Sequence, residues 1–502
     1  MTPRSPGRSR RAGAAVVASS ALAAVVLTAA PASAAGSLGY DAAGDKGSLN
    51  NIARVVGAQD AYAAGVTGKG VGVALIDTGV TPVAGLTSGN LVNGPDLSFD
   101  SQNPDTAHVD GFGHGTHLAS IIAGRDVAGS PTSYLDPTRF NGVAPDATLV
   151  NVKVGAGNGA VDVSQVIAGI DWVVEHADDK GLNIRVINLS YGTDSTQSSA
   201  VDPLAYAVEN AWKHGIVVVV SGGNEGDSTK NLANPASDPN VLAVGAMDDA
   251  GTVGRDDDTV PSWSTKGTDA RHVDVVAPGV SVLGLRNPGG YADVRNPQAV
   301  VGDRFARASG TSQAAAVVSG EVALLLQAFP KLTPDQVKLV ITQSASGVTT
   351  SSAVMSGSGL IDVKKAQKLP KGTVPLAGAA AWGNGSGSLE ASRGSSHVST
   401  GTTELTGEVD VFGRAWDGAA WARATKDAKA WVDGNWRGLT LTGAGWSGST
   451  WPTAPWTGSD WTGVSYASEQ WSARTWRDES WAARTWRDDS WSARTWRSEG
   501  WA

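Results

Sequence analysis

A chain of 502 residues has room for two or three domains, and a hydrophobic fraction of 41% supplies a large core. It contains no cysteine, which excludes disulfides, thiol catalysis and Cys-type zinc sites. The formal net charge of −9 is spread along the chain and argues against nucleic acid and anionic membranes as partners.

Residues 1–34 read as a secretory signal peptide. Arg4, Arg8, Arg10 and Arg11 form a charged start, Ala12 to Ala30 is apolar, and Ala32-Ser33-Ala34 gives a small-x-small cleavage pattern. Cleavage there removes four arginines and no acid, taking the net charge from −9 to −13. An uncleaved anchor is the competing reading, since the apolar run almost reaches spanning length. No second run does, so the mature chain is expected to be secreted and extracellular, with no transmembrane segment. Residues 35–51 form a short polar lead.

From 52 to 370 the pattern is globular. The runs 71–77, 146–154, 185–190, 216–223 and 241–247 are short, β-branched and apolar on both faces, as buried parallel strands are. Helical periodicity lies between them. Residues 164–181 carry Val166, Ile170, Val173 and Val174 on one face, with Gly181 as a stop; 202–215 opens on Asp202-Pro203 and stops at Gly215; Thr333-Pro334 opens a helix through about Ser344. The alternation predicts an α/β domain with a mainly parallel sheet, whose ligands bind beyond the carboxyl ends of the strands.

Four residues stand where that rule places chemistry. Asp77 ends the first strand; taken alone, a cap or turn acid is the commoner role. His114 sits in GFGHGTHLASIIAG between Gly113 and Gly115 at a helix start, a setting that disfavours imidazolium and suits a general base. The pair His114-x-x-His117 invites a zinc reading, but it lacks the glutamate and the i, i+4 spacing of the zinc motif. Asn224 follows a buried strand in SGGNEG, where its amide can donate to a developing oxyanion or simply close a turn. Ser312 opens an apolar helix after Gly310-Thr311, where the dipole favours negative charge; an N-cap serine is the bland alternative.

Together and in order, DTG at 77–79, HGTH at 114–117 and GTSQA at 310–314, with GVAP (142–145), NLSYG (188–192), GGNEG (222–226), VLAVGA (241–246) and VVAPG (275–279), make residues 52–370 resemble the subtilisin-like serine peptidases, the subtilases. The resemblance implies a three-layer α/β domain and an endopeptidase. Ser312 would be the nucleophile, His114 the general base, Asp77 its orienting carboxylate, and Asn224 with the Ser312 N–H the oxyanion hole. His117 would be structural. Ser190-Tyr191-Gly192 and Ser221-Gly222-Gly223 would be two rails for an extended peptide, and a large apolar residue is expected in the specificity pocket. Protein or peptide substrates follow, with no cofactor needed for the chemistry.

Three departures from the family stand out. Gln313 and Ala316 replace the usual Met and Pro after the serine. The stretch from 35 to 76 is too short for the prodomain of many secreted subtilases. The loop 125–141 differs from the segment where some relatives hold calcium; Asp126 and Asp136 are candidates for structural Ca²⁺, against the commoner role of solvated loop acids.

Residues 371–415, with GNGSGS at 383–388, read as a flexible linker. From 416 to 501 every fifth position is Trp except Lys426, Leu441 and Tyr466. A period of five makes neither a helical stripe nor a one-faced strand, leaving a small hairpin array or solenoid, or a disordered chain with spaced indoles. Residues 416–502 are therefore expected to be a separable tail; flat indoles make cell-wall glycan the first candidate ligand, with cell-surface association as the result, and a solvated tail with no ligand is the alternative. Two other functions compete. One is a non-catalytic scaffold presenting the tail, which would need no triad; the other is hydrolysis of esters by the same triad.

Overall fold

The computed structural model describes residues 38–102, 104–369, 380–398 and 404–440. The expected signal segment and the tail beyond 440 lie outside the described residues. Among the described residues, no helix is long and apolar enough to cross a membrane.

Seven strands form one sheet: β1 (Gly72–Asp77), β2 (Leu91–Asp96), β3 (Thr148–Lys153), β4 (Ile184–Leu189), β5 (Val217–Ser221), β6 (Leu242–Met247) and β7 (Val275–Pro278). Their order is β2-β3-β1-β4-β5-β6-β7, and every pairing is parallel. The five strands expected from apolar runs are present, each with its bounds within about two residues of those expected. β1, β5, β6 and β7 are buried along their whole length, the burial that continuous Val, Leu and Ala runs require. β2 escaped the sequence reading because it is an edge strand with Asn93, Gly94 and Pro95 inside it, residues that fit only where one side of the ladder is open.

Helices Val163–His176 and Pro203–Lys213 pack against each other as one outer layer; His114–Ala123 and Thr311–Ala328 pack against each other as the second. The first of these starts at Asp162 in a capping box with Gln165 and ends at His176, five residues before the expected glycine stop. Pro203–Lys213 and Pro334–Ser344 start as expected, with Asp202 and Thr333 accepting the first free N–H groups. The helix Leu49–Val55 begins inside the expected N-terminal lead, capped by Ser48, and Leu38 and Ala42 are buried ahead of it. The lead is thus packed on the domain, and the boundary at 52 does not hold.

The larger correction concerns the C-terminal side. Described residues between 380 and 440 are not a linker and a free tail; they lie on the layer formed by Val163–His176 and Pro203–Lys213. The GNGSGS glycines serve close approach. A Cβ on Gly385 (φ +65°) would stand 2.5 Å from the Tyr206 ring, and one on Gly387 would stand 2.6 Å from the Val201 carbonyl oxygen. Trp416, Trp421, Trp431 and Trp436 are all buried. The helix Gly418–Lys426 carries Trp421, and Trp431 pairs with Trp436 across a short antiparallel ladder.

The anchor of this cluster is Asp171, on the outer face of Val163–His176 and 3% exposed. Its Oδ2 accepts from the indole N–H of Trp421 at 2.9 Å and of Trp436 at 2.8 Å, and its Oδ1 accepts from the Thr425 hydroxyl. Trp431 Nε1 donates to the Ala168 carbonyl at 2.7 Å. Three of these indoles spend their N–H on protein acceptors, and all four are buried in the core with no face free for sugar. For these four positions the glycan expectation fails.

Burial pushes the Asp171 carboxyl up to about 6, against the lowering effect of its donors Thr425, Trp421 and Trp436. For an acid raised in the folded state, the stabilising contribution is complete below the unfolded value near 3.8 and is lost as pH rises through about 6. Asp171→Asn, which cannot ionise, should therefore gain thermal stability relative to wild type as pH rises from 4 to 7. A melting-temperature difference that stays flat across that range would contradict the assignment.

Candidate active site

The sheet register brings the candidate residues to one edge. Ile76 of β1 lies opposite Leu189 of β4, and Leu189 lies opposite Val220 of β5. Asp77, Ser190 and Ser221, each one residue further on, therefore leave the sheet at the same level.

Asp77 is 1% exposed and His114 is fully buried. His114 Nδ1 stands 2.8 Å from Asp77 Oδ1 and 3.0 Å from Oδ2. This is the contact that fixes the tautomer with hydrogen on Nδ1 and leaves Nε2 as the basic nitrogen. His114 opens its helix directly after Gly113, whose φ is +111°. Gly115 is required by packing: a Cβ there would stand 2.1 Å from the Gly79 carbonyl oxygen, so the helix start and the loop after β1 could not close on each other.

That closure is held by a residue the sequence reading missed. Asp110 is buried and accepts from the N–H groups of Phe112 (3.0 Å), Gly113 (2.7 Å) and Thr116 (2.8 Å). It also accepts from the Thr78 hydroxyl at 2.8 Å, and that hydroxyl accepts from the Gly115 N–H at 2.9 Å. One carboxylate thus ties the loop bearing Asp77 to the helix bearing His114. The signal was an acid four residues ahead of a histidine that opens a helix, a carboxylate poised for the unpaired first-turn N–H groups. Lys153, fully buried at the end of β3, donates to the Thr78 carbonyl at 2.8 Å and pairs with Asp100 at 3.1 Å.

Ser312 is the second residue of Thr311–Ala328, a helix that packs across β4, β5, β6 and β7. Its N–H belongs to the first turn and has no intrahelical acceptor. Its hydroxyl is fully buried and makes no hydrogen bond among the described residues. Asn224 is oriented by the same helix start: Thr311 donates its N–H (2.9 Å) and its hydroxyl (3.0 Å) to Asn224 Oδ1. With the oxygen spent, the amide nitrogen is the end left to donate.

His117 is buried against the Ala306 carbonyl at 3.2 Å, and burial pushes it down to about 4. It stays neutral at ordinary pH, a packed ring with no role as a second base. Ser190 donates to the Ser312 carbonyl at 3.4 Å, and Tyr191 is fully buried. The glycines of the second expected rail make bonds within the fold. Gly222 spends its N–H on Val244 and its carbonyl on Ala233, and Gly223 spends its carbonyl on Thr265 and its N–H on Thr311 Oγ1. The backbone N–H groups of Gly222 and Gly223 are therefore both engaged within the fold. The pocket beside Asn224 is lined by Thr193, Asp194, Thr196, Glu225 and Asn231, with Leu232 and Ala233 as its apolar patch.

The expected calcium ligands also have other partners. Asp126 pairs with Arg304 and accepts from the Phe140 N–H at 3.0 Å, while Asp136 closes its own turn on Thr138. Among the described residues, no group of three or more His, Asp or Glu could hold a metal. These residues do not fit a calcium site. Gln313 is buried with neither end of its amide hydrogen-bonded among the described residues. Ala316 is buried in the same helix.

The model of the subtilase family matches residues 68–372. The serine protease AprX of Bacillus subtilis (strain 168) is 36% identical over 305 residues, which cover 60% of this chain and 66% of that protein, just short of two thirds of its length. Subtilisin DY of Bacillus licheniformis is 32% identical over 314 residues, covering 62% of this chain and 96% of the relative. Subtilisin Savinase of Lederbergia lenta is 32% identical over 313 residues, again 62% and 96%. A parallel seven-stranded sheet with helices on its faces, and a family match across more than half of the sequence, identify this chain as a member of the subtilase family of serine peptidases.

Proposed function

We propose that the chain is a secreted serine endopeptidase working through Asp77, His114 and Ser312. The observation that carries the reading is the bidentate contact of Asp77 on His114 Nδ1, at the sheet edge that also receives the N-terminus of the Ser312 helix. In this reading Ser312 Oγ adds to the substrate carbonyl as its proton passes to His114 Nε2. The C–N bond then breaks with that proton delivered to the leaving amine, and water repeats the sequence on the acyl-enzyme. Asp77 stabilises the imidazolium formed on the way. Asn224 Nδ2 and the Ser312 N–H receive the oxyanion, supported by the pinning of Asn224 Oδ1 on Thr311. Ser190-Tyr191-Gly192 is the segment alongside which the peptide extends, with Ser221, Gly222 and Gly223 as wall. Ester hydrolysis is expected as a side activity of the same intermediate.

Ser312→Ala should lower kcat on an unstructured protein such as casein by about 10⁶, the subtilisin benchmark for loss of the nucleophile. Proteolysis at the wild-type rate would sink the assignment. Asn224→Ala should cost about 10²–10³ in kcat with KM nearly unchanged, again the magnitude established on a related enzyme. A raised KM at unchanged kcat would make Asn224 a binding or structural residue instead. Export is inferred from the Arg-rich start, apolar run and Ala32-Ser33-Ala34. Sequencing the N-terminus of the exported protein should begin at Ala35; a mature chain that still begins at Met1 would refute cleavage there.

A further inference from the structure

The segment that follows the family domain touches the mouth of the candidate cleft. The turn after Gly192 runs from Thr193 through Gln197 to the helix Pro203–Lys213, and it is gripped from outside by residues 388–395. Thr193 Oγ1 donates to the Ser392 carbonyl at 2.7 Å. Asp194 accepts from the Ser395 N–H at 2.7 Å and from its hydroxyl at 2.6 Å. Gln197 exchanges two hydrogen bonds with the backbone of Ser388, at 2.9 and 3.0 Å. Gly394 has φ +60°, and a Cβ on it would stand 2.3 Å from Asp194 Oδ1, so the contact depends on glycine.

The grip is locked by one buried cation. Arg393 is 0% exposed. Its Nε donates to Asp162 Oδ2 at 2.6 Å, its Nη1 to the Gly407 carbonyl at 2.8 Å and to Glu390 at 3.1 Å, and its Nη2 to the Val409 carbonyl at 2.5 Å. Asp162 is the N-cap of Val163–His176. A fully buried guanidinium with its donors placed on two carboxylates and two carbonyls fixes geometry in a way that an exposed ion pair cannot. It joins the C-terminal segment to the scaffold helix directly behind the buried Tyr191.

We propose that residues 388–398 and 404–436 are a working part of the peptidase unit. They set the position of the turn from Thr193 to Thr196, one wall of the pocket beside Asn224, with Arg393 as the positioning residue and the indole cluster on Asp171 as the anchor. The proposal rests on the peptidase reading above. A segment added for tethering alone would have no reason to spend a buried arginine and a required glycine on the cleft wall.

The test uses the full chain, with the number of working sites counted by a serine-directed phosphonyl fluoride and kinetics measured on a tetrapeptide anilide. Arg393→Lys keeps the charge but cannot span Asp162 and both carbonyls. Per titrated site, it should raise KM about tenfold with kcat changed far less, because the wall shifts while the reacting groups stay. A variant that is merely unstable would lose titratable sites and keep the wild-type KM in those that remain, and that result overturns the proposal. Thr193→Val covers the case in which Arg393→Lys does not fold. It removes the hydroxyl that holds Ser392 without changing side-chain volume, and should raise KM in the same way, with Thr193→Ser restoring it. An unchanged KM in Thr193→Val, or no restoration by serine, also overturns it. If wild type neither reacts with the phosphonyl fluoride nor cleaves the anilide, the peptidase reading itself has failed.

Discussion

The arrangement of the whole molecule depends on placing a carboxylate, an imidazole and a serine hydroxyl, from three distant parts of the chain, at one edge of a sheet without water to level their energies. Asp77 and His114 are both buried, and burial of an unpaired carboxylate would be prohibitive. The cost is met locally. Asp77 takes the His114 N–H and the Thr78 N–H, and Asp110 accepts from the N–H groups of Phe112, Gly113 and Thr116 around the start of the His114 helix. Each of these hydrogen bonds presupposes β1 at the centre of the sheet, between β3 and β4, with strands on either side to exclude solvent. The Ser312 helix, lying across β4 to β7, brings the third group to the same edge and orients Asn224 through Thr311.

The second constraint acts from the far side. Asp171 is buried on a helix whose other face packs on the sheet, and it collects indole and hydroxyl donors from three points of the C-terminal segment. A polar group buried this deeply holds register because each donor has one acceptor it can reach. Arg393 does the same further along, against Asp162. The central sheet and the C-terminal segment therefore share the scaffold helix Val163–His176, which is how a sequence beyond the family match can bear on the candidate cleft.

Much of this was legible in the sequence. Val-rich runs marked the central strands, Asp-Pro and Thr-Pro marked two helix starts, and the motif order singled out Asp77 and His114, which stand 2.8 Å apart, and Ser312, which opens the helix Thr311–Ala328. What failed has identifiable physical causes. β2 has a polar, Pro-containing edge pattern. Gly222 and Gly223 looked available for substrate, but ladder and loop bonds consume their backbone groups. The GNGSGS stretch looked flexible because glycine has two uses, freedom and close approach, and only the neighbouring Tyr206 and Val201 reveal the second. In the described part of the five-residue Trp period, Trp421 falls on a helix and Trp431 and Trp436 on a short ladder, so that they converge only in three dimensions.

The most direct test of the account is where a serine-directed phosphonyl fluoride attaches. Peptide mapping of the labelled protein by mass spectrometry should find one adduct, on Ser312, and labelling should fall away in His114→Ala because the hydroxyl then lacks its base. Labelling at another serine, or equal labelling of Ser312 with His114 removed, would contradict the triad.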